Sequence, residues 1–282
     1  MPSILYVSGL PRAGSTLLCQ LLDLHPQIDS PGCSSPLWNT INQMREKISD
    51  DPFWLAQLDV DFERNYARLL HACRGFMAGW FAGTAAPWVV DKNRGWLMGI
   101  ETLRLLDPDF RMLVCLRDPV QIFGSIEAQH QKTLLLSFPD HIAPHSAYAR
   151  ADKLFGPDSV IGGPLKALEN LPDYDQELQG HLAFVTFEAL LENPVGTLNT
   201  LWQWPDLPRH DFDPAHLPVR PHETDSHYRF KYPHVTHRTV RPSTPHRVAP
   251  RIEAEIHKNC RWFYEQFYPE QPWLQGTHPD SA

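Results

Sequence analysis

Residues 4–18 read ILYVSGLPRAGSTLL, and no other stretch restricts the fold so tightly. A five-residue apolar run enters a loop bounded by Gly9 and Gly14. Leu17, Leu18, Leu21 and Leu22 then recur at helical spacing. A buried strand passing through a glycine loop straight into a helix predicts a parallel sheet, because parallel neighbours need helical crossovers. The loop has the frame G-x-x-x-x-G-K-[ST] of a phosphate-binding loop, but Ser15 stands in the lysine position and Thr16 follows it. Backbone N–H groups at the start of the helix are offered to an anion. Arg12, stiffened by Pro11, brings positive charge into the loop from another point, as a fork that is never neutral. That arrangement suits a terminal tetrahedral anion held without a metal.

Three more short apolar runs, at residues 88–91, 111–117 and 182–187, are each followed by a helix-like segment. After Asp91, the positions Trp96, Leu97, Ile100, Leu103 and Leu106 predict one helical face. After Arg117, Asp118 reads as N-cap, Pro119 as the first helical position and Gln121 as the partner in a capping box. The expectation is an α/β chain, a three-layer fold with a central parallel β-sheet flanked by helices and ligands at the C-terminal strand ends. One domain over 1–282 is expected. It carries a helical insertion at about 37–84, between the first and second strands, and a long irregular loop at about 205–248.

Net charge −8 argues against a nucleic-acid partner. Within that acidic chain, residues 220–251 hold seven basic side chains against two acidic ones, a local +5. Such a loop can close over a polyanionic nucleotide. No apolar run predicts an integral membrane segment, and MPSILYVSG reads as a strand rather than a signal. Five cysteines without C-x-x-C spacing imply neither a disulfide framework nor a zinc ribbon, and fit a reducing, cytoplasmic location.

Taken in order, these segments resemble the sulfotransferases that use 3′-phosphoadenosine 5′-phosphosulfate (PAPS). GLPRAGSTLL is similar to their 5′-phosphosulfate loop, in the form seen in the tyrosylprotein branch and bacterial relatives. LRDPVQIFGSI resembles their 3′-phosphate motif, which falls on Arg117 and Ser125. VVDKNRGW resembles the segment carrying a catalytic lysine, here Lys92. VTFEALLENP resembles the segment whose aromatic lies near the adenine, here Phe187. The resemblance spans roughly residues 3–200.

It implies a P-loop-type fold and transfer of a sulfuryl group from PAPS to an acceptor hydroxyl by in-line displacement, with PAP (3′-phosphoadenosine 5′-phosphate) as product and no metal required. Pro11, Arg12, Ala13, Gly14, Ser15, Thr16 and Leu17 would hold the 5′-phosphosulfate, with Arg12 and Lys92 acting on the charge that grows as the bond breaks. Where the tyrosylprotein branch has its glutamate base, this chain has Gly32, so Asp29, His25 and His130 become the candidate bases. Gln129 replaces an arginine of that branch. Small-molecule, lipid and peptide hydroxyls stay open as acceptors, and a homodimer stays open as the assembly. Competing readings are a P-loop kinase or nucleotide hydrolase with Asp91 as its metal-holding acid, a catalytically inactive nucleotide-binding module of the same fold, and a metal-binding protein using His222, His227, His234 and His237.

Overall fold

The computed structural model describes residues 2–136, 141–219 and 235–274. Five strands form one all-parallel sheet: β1 (Ser3–Gly9), β2 (Ile28–Asp29), β3 (Trp88–Lys92), β4 (Arg111–Leu116) and β5 (Leu182–Thr186). Their order is β2-β3-β1-β4-β5. The inner strands β3, β1 and β4 are buried along almost their whole length, which is why β1 and β4 read as continuous apolar runs. β1 is central. The chain winds outward to β2 and back to β3 on one side, then crosses to β4 and β5 on the other, so the strand order reverses at β1. A crevice opens at the carboxyl ends of the strands at such a reversal.

The helical insertion is three helices, Leu37–Ser49, Pro52–Val60 and Phe62–Trp80. Asp51 and Asp61 cap the second and third, accepting from the amides of Trp54 (2.9 Å) and Arg64 (3.2 Å). The insertion follows β2 rather than the first strand, because the two-residue β2 is too short to show a period. It buries few side chains of its own. Its main anchor is Trp38, whose indole lies across Gly95 and Gly99. A Cβ on either glycine would stand within 2 Å of that ring, at 1.9 and 1.8 Å. The expected single helix after Asp91 is therefore two, Gly95–Met98 and Ile100–Leu106, broken at Gly99. Its predicted apolar face is nevertheless buried throughout.

Gln121 departs from the capping box. Its amide pairs with the backbone of His246 instead, while Asp118 caps the helix Pro119–Lys132 through the amide of Val120 at 2.8 Å. The aromatic C-terminal stretch forms two helices, Pro250–Asn259 and Arg261–Phe267. They brace the strand ends: Tyr264 Oη donates to Asp118 (2.5 Å), just past β4, and Tyr268 Oη donates to Glu188 (2.8 Å), just past β5. Residues 205–219 and 235–249 form neither helix nor strand. Arg220, Arg229, Lys231, His222, His227 and His234 lie outside the described residues. Among the described residues, no helix is long and apolar enough to cross a membrane.

Candidate functional site

A cleft of about 710 Å³ runs across the carboxyl ends of β3, β1, β4 and β5. Its floor is the loop after β1. Gly14 sits at φ 82°, in the left-handed region, where it turns the chain into the helix Ser15–Leu22. A side chain there would also collide with Phe187, whose ring edge lies 2.6 Å from the position of a Cβ. Arg12 adopts φ 57° although it is not glycine, a strained conformation of the kind that collects at functional sites. No side chain caps the helix at Gly14, so its first-turn amides and the positive end of its dipole are left for a ligand.

Two groups of side chains flank this loop. On the β3 side, Lys92 ends its strand almost fully buried. Its Nζ donates to Thr16 Oγ1 (3.3 Å) and to the carbonyl of Gly32. Asp91 points to the other face of the sheet, where it accepts from Trp96 Nε1 at 2.6 Å. It does not line the cleft, and burial pushes its carboxyl up to about 6. The pairing of Lys92 with Asp91 that adjacency would suggest is thus absent, and Asp91 is not placed to hold a metal against a nucleotide here.

On the β4 side, Arg117 is 6% exposed. It donates from Nη1 to the carbonyl of Arg12 (2.9 Å) and reaches Ser243 Oγ from Nη2 at 3.5 Å. Its guanidinium carbon lies 4.4 Å from the centre of the Phe187 ring. Among the described residues, its buried Nε has no hydrogen-bond partner. Burial works against its charge, and Arg12 adds repulsion; Glu188 opposes both. Arg117 thus presents a largely buried cation to the cleft. Arg12 joins this group, since its Nε donates to Ser125 Oγ at 3.2 Å. The sequence expectation put Arg12 with Lys92; the structure brings it to Ser125 and Arg117.

Pro11 and Ala13 are internal to the loop and absent from the cleft lining, whereas Arg12, Gly14, Ser15, Thr16, Leu17, Lys92, Arg117 and Phe187 line it. The candidate bases fare differently. His130 is fully buried outside the cleft. His25 has both ring nitrogens engaged, with the Pro208 carbonyl at 3.0 Å and the Gln27 amide at 3.2 Å. Asp29 is exposed at the edge strand and does not reach the cleft. Among the described residues, Asp158 and His237 are the carboxylate and imidazole that line it. Neither carried a spacing signal: each comes from an irregular segment far away in sequence. Trp38, Asn39, Arg94 and Met98 complete the β3 end of the cleft beside Lys92.

An all-parallel sheet with a glycine loop at its reversal point, flanked by a buried lysine and a buried arginine, defines an α/β protein with a cationic cleft at its strand ends. The sulfotransferase family model matches residues 3–211, and the chain belongs to that family. Solved structures agree on the fold. The sulfotransferase domain from the curacin biosynthetic pathway is 16% identical, with 93% of this chain and 98% of that one covered and a TM-score of 0.54. A sulfotransferase from Alicyclobacillus acidocaldarius is 15% identical, with 99% and 98% covered and a TM-score of 0.53. No curated protein sequence matches the chain.

Proposed function

We propose that this chain uses PAPS as donor and transfers its sulfuryl group to an acceptor hydroxyl, releasing PAP. The observation that carries this reading is the pairing of two separate cationic groups across one loop. A nucleotide with phosphates at both its 5′ and 3′ positions needs two anion sites: the helix-start amides beside Lys92 would take the 5′ end, and Arg117 with Arg12, whose Nε reaches Ser125, the 3′ end.

PAPS supplies the activated sulfuryl group. The first-turn amides of Ser15, Thr16 and Leu17 hold the 5′ end, as helix N-termini hold phosphates. Lys92, already turned toward Thr16, stabilises the negative charge that grows on the leaving 5′-phosphate. Arg117 and Ser125 hold the 3′-phosphate, and the unpartnered Nε of Arg117 supports that assignment. Arg12, within the β4-side group, braces Ser125 and Arg117 beside the nucleotide. Phe187 offers a ring face beside Arg117 on which the adenine can pack. The acceptor enters over Trp38 and Met98 and gives up its proton to Asp158, His237 or solvent.

Single-turnover incubation with PAPS and a panel of phenols and alcohols, in the presence of a chelator, tests the reading. It predicts a sulfated product and stoichiometric PAP. Transfer that needs Mg²⁺, or consumption of ATP in place of PAPS, overturns it.

A further inference from the structure

We infer that Gln121 and Gly124 form a seat that holds the strap of residues 239–248 over the nucleotide end of the cleft, and so set nucleotide affinity without touching the nucleotide. The inference rests on the sulfotransferase reading only for its effect on nucleotide binding.

The strap needs an external anchor. Its sequence, TVRPSTPHRV, contains Pro242 and Pro245, which have no N–H to give. Among the described residues, the backbone of 241–248 makes no backbone–backbone hydrogen bond. What it makes instead is a two-point contact with one side chain. The His246 amide donates to Gln121 Oε1 at 2.8 Å, and Gln121 Nε2 donates to the His246 carbonyl at 3.4 Å. A carboxamide reads a peptide group in this way much as a neighbouring strand would.

Gly124 lies three residues further along the same helix and therefore on the same face. A Cβ there would stand 2.5 Å from His246 Cβ and 3.2 Å from Val248 Cγ2. The strap can lie against the helix only because that side chain is missing. Glycine is otherwise a poor choice inside a helix. The next residue, Ser125, takes the Arg12 contact. One helical turn thus carries the seat and a member of the anion site side by side. The seated strap brings Thr239, Val240 and Arg241 into the cleft wall and Ser243 to Arg117.

The test is amide hydrogen exchange at His246 in the free protein, combined with nucleotide binding, for Gln121→Ala, Gly124→Ala and Arg241→Ala. Both seat variants are expected to speed His246 exchange by roughly tenfold or more, the scale of one lost hydrogen bond. Arg241→Ala should leave that exchange unchanged. Gly124→Ala should not lower the melting temperature, because alanine favours the helix; this separates unseating from unfolding. All three variants should weaken PAP by roughly tenfold, while adenosine 5′-phosphosulfate, which lacks the 3′-phosphate, binds as before. In turnover, the seat variants should raise KM for PAPS and leave kcat at saturation unchanged.

Unchanged His246 protection in both seat variants overturns the proposal, as does a freed amide with unchanged PAP affinity. A wild-type chain whose His246 amide is protected but which ignores PAP would overturn the sulfotransferase reading instead.

Discussion

Replacing Arg117 by methionine keeps an unbranched chain of similar reach against Phe187 and removes the guanidinium. In the free protein that guanidinium has one good hydrogen bond, to the Arg12 carbonyl, one at the limit of length, to Ser243, and a buried Nε with none. Losing the Arg12 contact and the ring contact costs on the order of 1–2 kcal/mol. Relief of the charge's burial offsets part of it. Free-state stability should therefore change by less than about 1.5 kcal/mol.

The bound state differs, because there the charge meets the 3′-phosphate. A charge-assisted hydrogen bond of this kind is worth roughly 1.5–3 kcal/mol, so the dissociation constant for PAP should rise by about 10- to 150-fold. Calorimetric titration should show that loss for PAP and almost none for AMP, which carries only the 5′-phosphate. Equal losses for the two ligands would mean that Arg117 supports the loop through Arg12 and does not read the 3′ position.

Lys92→Ala should leave PAP affinity within a few-fold yet lower single-turnover transfer by about 10²–10³, the cost of removing one donor to a developing negative charge; a near wild-type rate would remove Lys92 from the chemistry. Of His237→Gln and Asp158→Asn, one should lower turnover by about 10²–10⁴ with nucleotide affinity intact; wild-type rates in both would mean that the acceptor proton leaves to solvent. Burial raises Asp91 from an ordinary 3.8 to about 6, so the folded chain binds this proton more tightly than the unfolded one. The stability from that proton is fully present below about pH 4 and is lost as pH rises through 6. Asp91→Asn keeps an acceptor for Trp96 and should abolish that loss, on the order of 2–3 kcal/mol, in urea midpoints compared at pH 4.5 and 7.5. Parallel pH profiles for the two proteins would contradict it.

What the sequence made legible follows from which physical signals are local. β1, β3 and β4 announce themselves because strands buried on both faces are apolar runs, and the edge strand β5 does so as an apolar run although Phe184 is exposed. The loop does so because its glycines and helix start lie within ten residues. Lys92, Arg117 and Phe187 fall next to strand ends, so placing the strands places them. β2 escapes notice because Ile28 and Asp29 have no period and are defined only by pairing with Trp88 and Val89. The break at Gly99 and the seat at Gly124 are set by Trp38 and His246, residues remote in sequence. Gln121 obeyed its capping rule on paper, but its amide does better against a strap backbone with few other partners. Asp29, His25 and His130 lie near the loop or near Ser125 along the chain but do not line the cleft, whereas Asp158 and His237 reach it through loops whose course no periodicity reveals.

The central claim is that the cleft is built for a nucleotide with anionic groups at both ends, held without a metal. Thermal unfolding with PAP plus chelator, set beside Mg·ATP at equal concentration, tests it most directly. PAP should raise the melting temperature along a saturable curve, with about 2.7 kcal/mol of stabilisation at a hundredfold excess over its dissociation constant, and Mg·ATP should raise it far less. Equal or greater stabilisation by Mg·ATP would contradict the account.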